Sequence, residues 1–339
     1  SVCKIVADWI SEISSVVECR FPETMLRRIV AFCLPIAFSH KNSKYILYTG
    51  ETMSEPNYFK IPYKQLPSLG QLYPKESSIR FRILQVRDLK YLGALDRDNS
   101  SEIVNDVIKR CLKVEGMNIE DIYRMDRLSI LFYLRRNTFM LSNGYQTEFV
   151  CPYCETRVSK QFQVHELAKK TIQQSLLRKI YIDGELVKGV YKKIFDPEYK
   201  TDDPELDLIL NWTNVDEVYE HINQKELEDK ILRLPADQYA KLRHLATDTR
   251  CGILSYTELQ CDNCFHKMRV GVDLSDDKLF NKVKMTTMIR NQIQVSKFCG
   301  INLTDDMPYN EVELTIAIVN DLSKKEAEAV SKTKGVEKQ

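Results

Sequence analysis

Apolar positions recur along this chain with two different periods. A helical period comes first: Ile5, Trp9, Ile10, Ile13, Val16 and Val17 share one face. A second stripe, Met25, Leu26, Ile29, Val30 and Cys33, begins after Pro22 and stops at Pro35. Between residues 61 and 92 the character changes. Pro62, Pro67, Gly70 and Pro74 make an extended, turn-rich segment, after which Ile79, Phe81 and Ile83 alternate with Arg80 and Arg82, the period of a half-buried strand. Arg80, Arg82 and Arg87 read as its solvated face, and Asp88 starts a short helix. Asn99 with Glu102 forms a capping box ahead of Ile103, Val104, Val107, Ile108, Cys111 and Leu112. Asn118 caps a further helix, whose centre (Leu128 to Leu134) is apolar almost all round and therefore predicted to be central in the core.

Period two then returns at two matching stretches, TEFVCPYCETRVSKQFQV (147–164) and TELQCDNCFHKMRVGVDL (257–274). Each opens Thr-Glu and passes through Cys-x-x-Cys. The first leaves through Val158, Phe162 and Val164, the second through Met268, Val270, Val272 and Leu274. A tight Cys-x-x-Cys turn beside such alternation predicts a β-hairpin whose turn is a metal knuckle. Two thiolates two residues apart both reach a Zn²⁺ at about 2.3 Å, and tetrahedral zinc needs four ligands. Cys151 and Cys154 therefore require Cys261 and Cys264, although the interval 155–260 is far longer than ordinary ribbon spacing. A whole segment must leave one hairpin and return to the other, with its ends close together. The alternatives are buried free thiols or a redox pair; a thioredoxin-like site is disfavoured because neither motif opens a helix after a strand. Spacing admits Fe²⁺ as well as Zn²⁺. His266 and His165 read as surface residues. A four-thiolate zinc has no open position for water, so one structural ion is expected and no catalytic one.

The interval itself reads as mainly helical. Leu167–Ile180 is amphipathic, Asp183-Gly184 marks a turn, and Asp202–Trp212 holds a short apolar run. Asn214 is placed to cap the next segment, and Pro235 begins another helix. Glu217, Glu220, Glu226, Glu228 and Asp229 lie on solvated faces, with no pair set for acid–base work. Beyond the second knuckle, Phe280, Val283, Met288, Ile289 and Ile293 continue in helical spacing. Asp305-Asp306-Met307-Pro308 starts a last helix with Val312, Leu314, Ile316, Ile318 and Val319 on its apolar side, and the charged segment from Ser323 is expected to fray.

These patterns define an α+β chain that is mostly helical, with a four-cysteine, zinc-ribbon-like pair of β-hairpins interrupted by a long helical insertion. The expected domains are an N-terminal helical extension (1–60), a strand-plus-helix core (61–146), a split ribbon (147–274, hairpins 147–165 and 257–274, insertion 166–256) and a helical tail (275–339). Composition narrows the function. Lys and Arg number 49 against 48 Asp and Glu, which argues against a dominant nucleic-acid surface. Ten cysteines in 339 residues are too sparse for a disulfide scaffold; Cys3, Cys19, Cys33, Cys111, Cys251 and Cys299 read as small core hydrophobes. The longest apolar run, Ile29–Phe38, is too short to span a membrane and contains Pro35. Phosphate-binding glycine loops, zinc-protease helices and nucleophile elbows are absent, so no enzyme is expected.

The order of features resembles a known family. LPSLGQLYP, IRFRIL, QVRDLKYL, DRLSILFYLRRNTF and CPYC, then LPADQYAKLRHLA, CDNC and DDMPYNEVEL, resemble the T-even-type phage baseplate hub and tail-assembly proteins across residues 61–322. The resemblance implies a non-enzymatic component or assembly factor of the baseplate hub, assembled in the host cytoplasm and built into the virion tail. It implies hub, wedge or tube proteins as partners, with neither a small-molecule substrate nor a membrane, and nucleic acid not expected. It carries over Cys151, Cys154, Cys261 and Cys264 as ligands of a structural Zn²⁺. The N-terminal helices and the tail are the expected partner surfaces. The alternative is a zinc-ribbon nucleic-acid-binding protein of replication or transcription, with Lys160, Lys267, Arg269, Tyr153 and Phe265 as contacts.

Overall fold

The computed structural model describes residues 56–336 apart from 96–98, 140–144, 163–165, 221 and most of 281–303. All of these lie in the second of the two units into which the chain divides, Pro56–Gln339. The expected N-terminal helices, His165, Cys299 and most of the stripe from Val283 to Ile293 fall outside the described residues.

The main body is an antiparallel sheet in the order β1-β2-β3, with β1 at Phe59–Lys60, β2 at Ser78–Phe81 and β3 at Leu112–Glu115. Ile79, Phe81 and Leu112 are buried, as the alternation requires. Helices α1 (Val86–Leu92), α2 (Ser100–Cys111) and α3 (Arg124–Thr138) share this core. The stripe Ile103, Val104, Val107, Ile108 and Cys111 is buried, and α3 buries residues on every side, as its apolar centre predicts.

Polar groups on α3 do much of the anchoring. Buried Asp126 accepts from the Ser68 amide (2.9 Å) and the Tyr73 hydroxyl (2.7 Å), which fixes the proline-rich segment. Burial raises the Asp126 pKa; the Ser68 and Tyr73 hydrogen bonds oppose that rise.

Hairpins β4–β5 (Tyr145–Val150 and Arg157–Phe162) and β10–β11 (Tyr256–Gln260 and Lys267–Gly271) flank an insertion with an apolar core of its own. That core joins hairpin β7–β8 (Lys179–Ile182 and Glu185–Lys188) to α4 (Pro204–Trp212), α5 (Val215–Val218), α6 (Gln224–Leu232) and α7 (Ala236–Thr249). Its two ends pair with each other. β6 (Lys169–Lys170) runs antiparallel to β9 (Gly252–Ile253), so the insertion leaves and returns through one short stem. Gly252, at φ +129, passes 3.3 Å from the Met125 carbonyl as measured from an added Cβ, a close approach that only glycine makes without strain. Arg124 adds a second tether, donating to Asn211 Oδ1 (2.8 Å) and to the carbonyls of Asp196 and Pro197.

Several local expectations give way to long-range pairing. Leu167–Ile180 is not a helix; its amides are drawn into β6 and β7 and onto distant carbonyls, Ala168 N to Tyr256 O, Ile172 N to Pro67 O and Leu176 N to Asp248 O. The helix expected from Asn118 breaks at Ile122 and Tyr123, where Ile194 N donates to Ile122 O and Arg124 N to Lys192 O. Asn214 turns its side-chain oxygen to Lys188 N (2.8 Å) rather than capping α5. Asn99 makes no side-chain cap and instead donates to Ala94 O. Arg82 is buried against Asp88 rather than solvated.

After β11, Val272 and Leu274 enter the main core. Helix α8 (Asp276–Phe280) is held by Arg127, bidentate to Asp276 (2.8 and 2.6 Å), and by Arg135 donating to Leu279 O. The Asp305–Pro308 segment lies on the start of α1: Val86 N donates to Met307 O and Arg87 N to Asp305 O. Helix α9 (Tyr309–Val336) follows, burying Val312 and Val319, where the sequence places a helix start and an apolar face.

Candidate metal centre

The two knuckles are conformational copies, offset uniformly in sequence. In the first, Cys151 N donates to Thr156 O (3.0 Å) and Glu155 N to Cys151 O (2.8 Å); in the second, Cys261 N donates to His266 O (3.0 Å) and Phe265 N to Cys261 O (2.9 Å). Val150 pairs with Arg157 and Gln260 with Lys267, closing both turns in the same register. The residue after the second cysteine is left-handed in both, Glu155 at φ +56 and Phe265 at φ +58. This twist turns the chain back into the returning strand, so that the Thr156 and His266 carbonyls reach the Cys151 and Cys261 amides. A residue with a Cβ is strained there by about 1 kcal/mol. Glu155→Gly is therefore expected to stabilise the knuckle by roughly 0.5–1 kcal/mol, read as slower hydrogen exchange across 145–162. Faster exchange would show that the Glu155 side chain contributes more than its backbone costs.

The tertiary fold brings all four predicted cysteines together, their sulfurs within 4.8 Å of one another. The close pairs cross between knuckles: Cys151 Sγ to Cys264 Sγ is 3.7 Å and Cys154 Sγ to Cys261 Sγ is 3.6 Å. A disulfide would be near 2 Å. Four sulfurs at about 2.3 Å from a central ion form a tetrahedron with edges of roughly 3.8 Å, so the crossed distances match a shared ion. Cys151 and Cys261 are buried with Val158; Phe149, Cys154 and Met268 pack beside them, and Cys264 faces solvent.

Charge makes the same point. The Thr156 hydroxyl and amide, then the Asn263 side chain, hold the Cys154 thiol down at about 6. At Cys264 the His266 amide pulls downward, but lost hydration and the sulfurs of Cys154, Cys151 and Cys261 push the thiol up to about 12. One thiolate suppresses its neighbours, and four thiolates together would require a cation among them.

Sequence reasoning missed the polar clasp around the sulfurs. Asn263 donates to Thr156 Oγ1 (3.0 Å) and Lys160 reaches Asp262 (2.6 Å), each joining one hairpin to the other. Thr156 is matched by His266 in the other copy, and neither residue type signals such a bond in the sequence. His266 is exposed, as expected, and lies beside the Tyr153 ring. Glu217, Glu226 and Asp229 are exposed, as their solvated-face reading has it.

The chain thus joins an α+β body to an insertion with its own core and brings four thiols from two hairpins to within reach of one metal ion. The family model of the T4 bacteriophage base plate protein matches residues 58–281, and the chain belongs to that family. The match begins slightly before the proline-rich segment and ends at α8, so the DDMPYNEVEL segment lies beyond it. No curated protein and no solved structure matches the chain. The family gives a structural role in the phage baseplate, a place in the virion tail and other tail proteins as neighbours. Among the described residues, no helix is long and apolar enough to cross a membrane.

Proposed function

We propose that this protein is a non-enzymatic component of the baseplate hub, or a factor in its assembly, whose hairpins are locked into a split zinc ribbon. Cys151, Cys154, Cys261 and Cys264 would hold one Zn²⁺. The observation that carries this reading is the crossed pair of sulfur distances, 3.7 and 3.6 Å, across two knuckles of identical hydrogen bonding. With all four positions taken by thiolate, such an ion has no site for water and contributes to folding rather than to catalysis. Its partners would be hub, wedge or tube proteins.

The nucleic-acid alternative loses most of its cations. Lys160 is paired with Asp262, and Arg269 lies over the Tyr256 ring with Glu258 at 3.8 Å.

Two measurements test the proposal. Purified protein should contain one zinc per chain, and cobalt exchanged into it should give the absorption of a tetrahedral thiolate site. Phage carrying Cys261→Ser with Cys264→Ser should assemble fewer complete baseplates. Metal-free wild type would sink the zinc site, and normal baseplates from the mutant would sink its role in assembly.

A further inference from the structure

We propose that the solvent face of the β1-β2-β3 sheet is a docking surface for an acidic segment of a neighbouring tail protein. Register puts three cations in one row. Lys60 lies directly opposite Arg80, and Arg80 directly opposite Lys113. Residues paired this way share a face, and neighbouring strands are about 4.8 Å apart, so the row spans roughly 10 Å. Like charges directly opposite one another weaken a sheet.

Folding does not call for this arrangement. The other face supplies the apolar packing through Ile79, Phe81 and Leu112, and any polar residue would serve on the solvent side. Among the described residues one carboxylate answers the row: Glu115 meets Arg80 at 3.2 Å and also accepts from Ser78. Lys113 sits 5.7 Å from the Tyr58 ring centroid, and Lys60 makes no ion pair among the described residues. Both lysines are exposed, and neither has a carboxylate partner among the described residues. One end of the face is already closed by the buried Arg82–Asp88 pair. Ser78, two residues from Arg80 on the same face, is buried and Arg80 is half-buried, so the open part of the row is Lys60 and Lys113.

Charge complementarity selects an anionic occupant. A nucleic acid would be tracked by a longer basic stripe with stacking aromatics, whereas this row is three side chains wide with Glu115 at its border. A short acidic peptide segment fits it. The choice of a protein as occupant rests on the assembly role; the cationic row is independent of the metal site, so either can fail without the other.

The test uses the full chain, a fluorescein-labelled oligo-glutamate peptide and a single-stranded oligonucleotide, read by anisotropy. Wild type should bind the peptide with an affinity that falls as salt rises. Lys60→Glu with Lys113→Glu should weaken binding about tenfold or more while thermal stability holds or rises, because opposite charges then face Arg80. Lys60→Gln with Lys113→Gln, which removes charge without reversing it, should weaken binding by a smaller factor. Absence of peptide binding by wild type, unchanged binding in both variants, or binding of the oligonucleotide alone would overturn the proposal. So would a fall in thermal stability of both variants with peptide binding intact, which would make the row structural.

Discussion

Cys261→Ser and Cys264→Ser, introduced together, are expected to abolish the proposed zinc site and separate the two hairpins while the main body and the insertion stay folded. Zinc binding supplies on the order of 10 kcal/mol in small zinc domains. Little else is available here to replace it. The buried apolar content between the hairpins is Cys151, Cys261 and Val158, with Phe149, Cys154 and Met268 at its margin. The Lys160–Asp262 and Asn263–Thr156 contacts are largely exposed and contribute at most about 1 kcal/mol each. The main body and the insertion each have a separate apolar core. The insertion is held by the β6–β9 stem and by Arg124, neither of which involves the knuckles. Hydrogen exchange should therefore show protection lost across 145–162 and 256–271 and kept in α3 and α7. Global unfolding of the double mutant would show that the metal organises the whole chain. Full protection in the hairpins would show that it organises nothing.

The second large effect belongs to Arg82→Met. Asp88 is fully buried and Arg82 is 4% exposed; their contacts are 2.6 and 3.2 Å, and Asp88 also accepts from the Gln85 amide at 2.8 Å. Removing the guanidinium leaves a carboxylate in the core without its counter-ion, at a cost of about 3–5 kcal/mol. Replacing both residues, Arg82→Met with Asp88→Leu, should recover part of that loss. The recovery stays incomplete because the Gln85 amide then has no acceptor at the start of α1. Urea unfolding midpoints would read both changes. A loss below about 1 kcal/mol for the single change would mean that water reaches Asp88 and that the pair behaves as a surface ion pair.

That pair also shows where local reasoning stops. Alternation placed Arg82 with Arg80 on a solvated face. Arg82 instead lies just past the end of β2, where α1 delivers Asp88 to it, and nothing in the alternation says where α1 will lie. The knuckles are the opposite case. Their flanks, spacing and copied order were enough to group Cys151 and Cys154 with Cys261 and Cys264, because the tetrahedral ion proposed for them would need four donors whatever lies between.

What the sequence by itself determined was therefore local or chemical. It set the stripes of α2 and α3, the alternation of β2, the paired Cys-x-x-Cys turns and the start of the last helix, each governed by side chains within a few residues of one another. Tertiary structure alone decided which backbone groups Leu167–Ile180 would pair with, where the helix after Asn118 would break, and that the insertion would close on a two-residue stem. In each place an amide had two possible partners, one a turn away and one far along the chain. The distant partner prevailed because it formed together with a buried apolar core, whose free energy exceeds the few tenths of a kcal/mol by which local propensities differ.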